Sequence, residues 1–188
     1  MAAAADKSKP YIPHNSGADD RWSTDDTATA TCFCGAVQLS FPTQGPGLID
    51  TFVCNCTDCR KITASMFASN FVVADAHLKH IRGRDALRAY SQSRTIRSGS
   101  AMANHFCGVC GTLMYRVGAA FPGCSILRVG TVDDFSLHET RLRPRVEQFV
   151  EDRVGWFTGV AGAEAVEGSY YKARLQGEGG EEAGRVVL

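Results

Sequence analysis

A mainly β domain with two metal-binding knuckles and one short helix is what this sequence predicts, and three observations carry the prediction. Short stretches that alternate apolar and polar residues recur between Gly- and Pro-containing turns, the period of half-buried strands. Seven of the eight cysteines fall into tight clusters: Cys32/Cys34, Cys54/Cys56/Cys59 and Cys107/Cys110. Only the segment directly after the middle cluster reads as a helix.

The bulk properties set the frame. A chain of 188 residues suits one domain with a real core, and 44% apolar with 21% charged residues is ordinary for a globular protein. The formal net charge is zero, so no field favours nucleic acid, an anionic membrane or acidic partners. No apolar run reaches the length of a bilayer span. The opening residues lack a basic-then-apolar signal pattern, which predicts the cytosol, or alternatively the nucleus, where thiols stay reduced. Composition leaves the oligomeric state open, a homodimer included.

Residues 1 to 26 are Ala-rich and then carry Pro10, Pro13, Gly17 and an Asp/Ser/Thr cluster, so a flexible arm is expected, with Trp22 as its candidate anchor. The domain proper is placed at 27–158. Val37, Leu39 and Phe41 alternate up to Pro42, with Gly35 letting the backbone turn beside Cys32 and Cys34. Leu48 to Val53 is the next strand and delivers the chain into Cys54. Residues 57 to 67 form a short helix, capped by Thr57 or Asp58 and edged by Ile62 and Met66.

Strands follow at Phe67–Val73, Ala76–Ile81 and Leu87–Gln92, then Arg94–Arg97 and the turn Ser98-Gly99-Ser100. The stretch Ala103 to Tyr115 is a knuckle: a strand enters, Cys107-Gly108-Val109-Cys110 turns on glycine, and a strand leaves. Ser125–Val132 and Arg145–Val150 are the last strands. Residues 159–188 are an extension expected to be loose, and mobile from Gln176.

The cysteine count divides unevenly. Cys32, Cys34, Cys107 and Cys110 supply a closed four-sulfur set, as a structural zinc ion requires, while Cys54, Cys56 and Cys59 supply three ligands and leave one position open, as a catalytic zinc requires. Soft sulfur donors select zinc, copper(I) or iron–sulfur clusters, and the spacings match no iron–sulfur run. Disulfides fit poorly, because neighbouring thiols in C-x-C lack the required separation. Cys124 stands alone, as small buried apolar thiols do. Arg60 and Lys61 follow the triplet and are candidates to stabilise its thiolates or hold substrate. His105 adjoins the closed set, which leaves it a hydrogen-bonded structural role.

These motifs resemble those of the glutathione-dependent formaldehyde-activating enzymes, a family with centromere protein V among its relatives. The resemblance lies in Cys32-Phe33-Cys34-Gly35, in Cys54-Asn55-Cys56-Thr57-Asp58-Cys59-Arg60, in His105-Phe106-Cys107-Gly108-Val109-Cys110-Gly111-Thr112, in Val129 to Asp134 and in Trp156. It implies folded sheets of the β-tent type, a structural zinc on the first and third clusters, and a catalytic zinc on the triplet beside a glutathione site. Three positions depart from the family pattern: Asn55 stands where His is usual, Ala64 where Gly is common, and Glu147 where a late His is frequent.

The expected activity is a zinc-dependent carbon–sulfur lyase, S-(hydroxymethyl)glutathione synthase-like, acting on a small-molecule thiol such as glutathione and a carbonyl compound. Arg94 and Arg97 join Arg60 and Lys61 as candidate partners for developing negative charge. Two other readings compete with it. One is a glutathione-independent zinc lyase, dehydratase or hydrolase on a larger metabolite; the other is a non-catalytic zinc-binding interaction module.

Overall fold

The computed structural model describes residues 6–171. Among them, eleven strands form two sheets. The small sheet has the order β1-β2-β5, from β1 (Thr27–Thr31), β2 (Gln38–Pro42) and β5 (Lys79–Arg82). The large one has eight strands. These are β3 (Leu48–Cys54), β4 (Ala68–Ala74), β6 (Leu87–Gln92), β7 (Met102–Cys107), β8 (Leu113–Gly118), β9 (Cys124–Arg128), β10 (Val146–Gln148) and β11 (Glu164–Val166). Their order across the sheet is β11-β10-β3-β4-β9-β8-β7-β6. Neighbours run antiparallel except that β10 lies parallel to both β3 and β11.

Period-two alternation gives the large sheet two different faces. One face turns Phe71, Val73, Tyr115 and Leu127 toward the small sheet, with Met114 joining them at the bulge in β8, and Ala28, Ala30, Val37, Leu39 and Phe41 meet them in a single buried cluster. Phe41 and Phe71 touch at 4.7 Å between ring centres. Each such fully buried ring contributes roughly 1.5–3 kcal/mol over an exposed one. The opposite face carries Phe52, Cys54, Ala68, Val72 and Ile126, which form a second cluster with Val146, Phe149 and Tyr170. The first face closes the fold; the second builds the site.

Several elements differ from expectation. The helix α1 (Thr57–Thr63) is shorter than 57–67, because Ala64 turns left-handed at φ 51° and closes it. Its cap is Cys56, whose Sγ accepts from the Cys59 N–H, rather than Thr57 or Asp58. Arg94–Arg97 lies in the loop between β6 and β7, outside any strand. Ser136–Glu139 makes a one-turn helix, α2, that no periodicity announces. The stretch 159–168, read as loose, contains β11, which β10 pins by parallel pairing.

Residues 6–26, expected as a flexible arm with Trp22 as its candidate anchor, run along the domain. The Gly17 N–H donates to the Phe33 carbonyl, Trp22 exchanges main-chain and hydroxyl bonds with Thr29, and Asp20 pairs with Arg82. Residues 1–5 and the tail from Gln176 lie outside the described residues. No described helix is long and apolar enough to cross a membrane.

Candidate functional site

Two turns that require glycine bring the outer clusters together. Gly35 at φ 79° follows Cys34, and Gly111 at φ 76° follows Cys110, both in the left-handed region that a side chain resists. The four sulfurs of Cys32, Cys34, Cys107 and Cys110 lie within 4.8 Å of one another. Cys34 Sγ is 3.6 Å from Cys32 Sγ and 3.7 Å from Cys107 Sγ. A tetrahedral ion with bonds of about 2.3 Å sets its sulfurs about 3.8 Å apart, so the set fits zinc. All four cysteines are free of disulfides, and Val37 N–H and Thr112 Oγ1 lie against Cys32 and Cys110. A neighbouring hollow between Phe33, Thr112 and Asp133 is lined by none of these cysteines.

The triplet is built at the end of β3 and the start of α1. Cys54 is the last residue of β3, Cys56 caps α1, and Cys59 lies inside its first turn. Their three sulfurs also lie within 4.8 Å of one another, and among the described residues the group ends at three. Burial and mutual contact split their acidity. Bonding with Cys56 and Cys59, together with burial, pushes the Cys54 thiol well up. Bonding with Cys54 lowers Cys56, but Cys59 and burial outweigh that and bring it to about 11. Cys59 is held well below an ordinary thiol, first by bonds from Cys54 and Cys56 and then by the charges of Arg116 and Arg128.

Those two arginines come from β8 and β9, on the site face of the large sheet. Arg116 Nη1 donates to Cys59 Sγ at 3.3 Å. Burial works against the Arg116 charge, but the sulfurs of Cys59, Cys54 and Cys56 outweigh it and keep its pKa raised. Arg128 is bonded to Asn70 Oδ1, and burial with the like charge of Arg116 brings it down to about 10. Arg116 Nε and Arg128 Nε and Nη2 are buried with no hydrogen-bond partner among the described residues. Two cations with spare donors, Arg128 buried and Arg116 half-buried, call for negative charge, which three thiolates on a divalent ion supply. The donor set fits zinc.

Behind the triplet, Asn55 is fully buried and donates from Nδ2 to Glu147 Oε1 at 2.9 Å. Glu147 also accepts from Arg153 Nη1 at 3.3 Å and from the Val160 N–H at 3.0 Å. In front of it lies a cavity of about 180 Å³. Cys54 and Cys56 form part of its wall with Arg116, and Arg97 reaches it from the β6–β7 loop. That loop is tied down by Thr95 Oγ1 donating to Asp58 and by Arg97 pairing with Glu151 at 3.2 Å. A larger hollow of about 350 Å³, beside Tyr11 and α2, has no cysteine in its lining.

Residues 27–152 match the family model described as glutathione-dependent formaldehyde-activating enzyme. The chain belongs to the glutathione-dependent formaldehyde-activating enzyme family. No curated protein matches it. Among solved structures, it is similar to a crystal structure of a Rhodobacter sphaeroides protein, with 23% identity, 55% of this chain and 85% of that chain covered, and a TM-score of 0.41. The family is enzymatic in general, and the chain's two cysteine groups are able to hold zinc ions.

Within this family member, the residues singled out from sequence do not all meet. The seven clustered cysteines gather as two groups, while Cys124 is buried apart from them at the start of β9. Arg60 donates to the carbonyl of Asp152, a residue of the cavity wall, at 3.0 Å, and Lys61 is exposed; neither side chain lines the cavity itself. Arg94 is absent from its wall as well. His105 stacks on Tyr115 at 4.5 Å instead of joining the four sulfurs. Arg116 and Arg128 were not singled out, because an arginine in a short alternating strand looks like any solvent-facing residue. Their positions follow only from the register that sets Arg116 against Ile126 and Arg128 against Asn70.

Proposed function

We propose that the protein is a zinc-dependent carbon–sulfur lyase of the S-(hydroxymethyl)glutathione synthase kind, joining a glutathione-like thiol to a carbonyl compound and splitting the adduct. The observation that supports it is that Cys54 and Cys56 form part of the wall of a cavity, whereas the four-sulfur set does not line the hollow beside it. In this reading Cys32, Cys34, Cys107 and Cys110 hold the structural ion, and Cys54, Cys56 and Cys59 hold the catalytic one. Zinc on the triplet supplies Lewis acidity and favours the thiolate form of an incoming thiol.

The chain's own groups do the rest. The cavity holds both reactants together, which supplies orientation. In the forward direction a bond forms between sulfur and the carbonyl carbon, and the thiol proton ends on the carbonyl oxygen, with no change of oxidation state. Arg116, already on the wall, balances negative charge as it develops on that oxygen. Arg128, buried beside it, adds to the bonds from Cys54 and Cys56 and the charge of Arg116 in lowering the Cys59 thiol. Arg97, exposed at the rim, is placed to pair with a carboxylate of the thiol substrate.

The test is turnover of glutathione with a panel of aldehydes by zinc-loaded protein, compared with Cys56→Ser. The proposal predicts loss of at least about 100-fold in the variant. Equal rates in both end the role of the triplet.

A further inference from the structure

The apolar part of the wall is the least expected feature of the cavity. Phe52, Ile96, Phe121, Ile126, Phe149 and Tyr171 all face it. The rings form a built box: Phe52 meets Tyr171 edge to face at 5.4 Å, and Phe121 meets the same ring at 6.1 Å. Tyr171 is fixed from behind by donating its hydroxyl to Asp50 Oδ2 at 3.1 Å. Polar side chains line the rest: Asp58, Thr95, Arg97 and Ser98 at the exposed loop, with the Arg97 guanidinium 4.9 Å over the Phe149 ring, and Arg116, Gln148 and Asp152 beyond them.

A one-carbon aldehyde has only hydrogens to offer such a wall. A tripeptide thiol is studded with charges and amides, and those find partners in Asp58, Thr95, Arg97 and Ser98 rather than against Phe52, Phe121 and Tyr171. The reacting sulfur must lie against Cys54 and Cys56, so the aromatic box is left for whatever the carbonyl carbon carries.

Resting on the thiol-plus-carbonyl reading above, we infer that the carbonyl substrate bears an apolar substituent, aromatic or branched aliphatic, seated among Phe52, Phe121 and Tyr171. Edge-to-face packing favours an aromatic ring there. Each matched methylene in an apolar pocket is worth roughly tenfold or more in discrimination. The preference over a one-carbon adduct is correspondingly large.

The probes are two unreactive thioethers that mimic the adduct, S-benzylglutathione and S-methylglutathione, titrated calorimetrically into the zinc-loaded full chain. The benzyl compound is expected to bind at least about tenfold more tightly. In Phe121→Ala and Ile96→Ala, two partly buried loop residues chosen to spare the core, that preference shrinks while the methyl compound binds as before. Equal affinities for the two thioethers, or a preference untouched in both variants, overturns the inference and leaves the thiol reading standing. Binding of neither thioether overturns the glutathione reading itself.

Discussion

The four-sulfur and three-sulfur sites use the same ligand atoms and do opposite jobs with their surroundings. Around Cys32, Cys34, Cys107 and Cys110, two glycine turns wrap main chain about the sulfurs, and the cluster belongs to the apolar core between the sheets. Around Cys54, Cys56 and Cys59, the half-buried Arg116, the buried Arg128 and a cavity replace that wrapping. The contrast separates holding a chain together from holding a reaction. A closed set exhausts its ion's coordination on the protein, while three ligands with balancing cations leave binding capacity for a visitor.

Breaking the comparison at its strongest point means removing one sulfur from each site. Cys107→Ser is expected to unfold the domain, because a structural zinc contributes on the order of 10 kcal/mol and the whole fold has only about 5–15. Cys56→Ser should keep a cooperative melt with a loss under about half of that, while activity falls. Thermal melts of both variants side by side check this, and similar losses contradict it.

Acid should distinguish the triplet next. In the metal-free protein Cys54 is raised well above an ordinary thiol and Cys56 stands at about 11, so both carry protons at neutral pH, whereas Cys59 is held low. Metal binding must expel those two protons, so affinity rises with pH, by about a hundredfold per unit between pH 7 and 8. Competition titrations with a chelator at several pH values give the slope. A slope of zero removes the protonation account.

Arg116→Gln sharpens the electrostatic half of the comparison. It deletes the cation at 3.3 Å from Cys59 but leaves the four-sulfur site alone. The expected result is a roughly 10- to 100-fold loss in triplet metal affinity or activity, with the other ion retained. Metal stoichiometry after dialysis reads both at once. The smallest effect is local: Ala64→Gly relieves a left-handed residue at φ 51° and should stabilise the helix end by about 1 kcal/mol. Denaturant unfolding measures it, and destabilisation would show that the Ala64 methyl is needed.

What the sequence made legible is set by how local each signal is. The cysteine spacings and the alternation of Val37, Leu39 and Phe41 are written within a few residues, and both sulfur groups and the strands beside them could be read. The helix end at Ala64 was misplaced because Ser65 to Phe67 continue an apolar edge while the backbone has already turned. Arg116 and Arg128 were hidden because their meaning lies in strand register across β8, β9 and β4. The same holds for Asn55 and Glu147, which lie 92 positions apart and hydrogen-bond to each other in the core. Neither residue alone hints at the other. β11 was missed because three residues have no period of their own, and only β10 makes them a strand.

Cobalt(II) loading followed by titration with glutathione tests the inequality of the two sites most directly, since thiolate–cobalt absorption reports the coordination of each ion. The account predicts two ions per chain, with added thiol changing the absorption of one and the response disappearing in Cys56→Ser. Absorption that thiol leaves unchanged, or that changes equally at both ions, would contradict it.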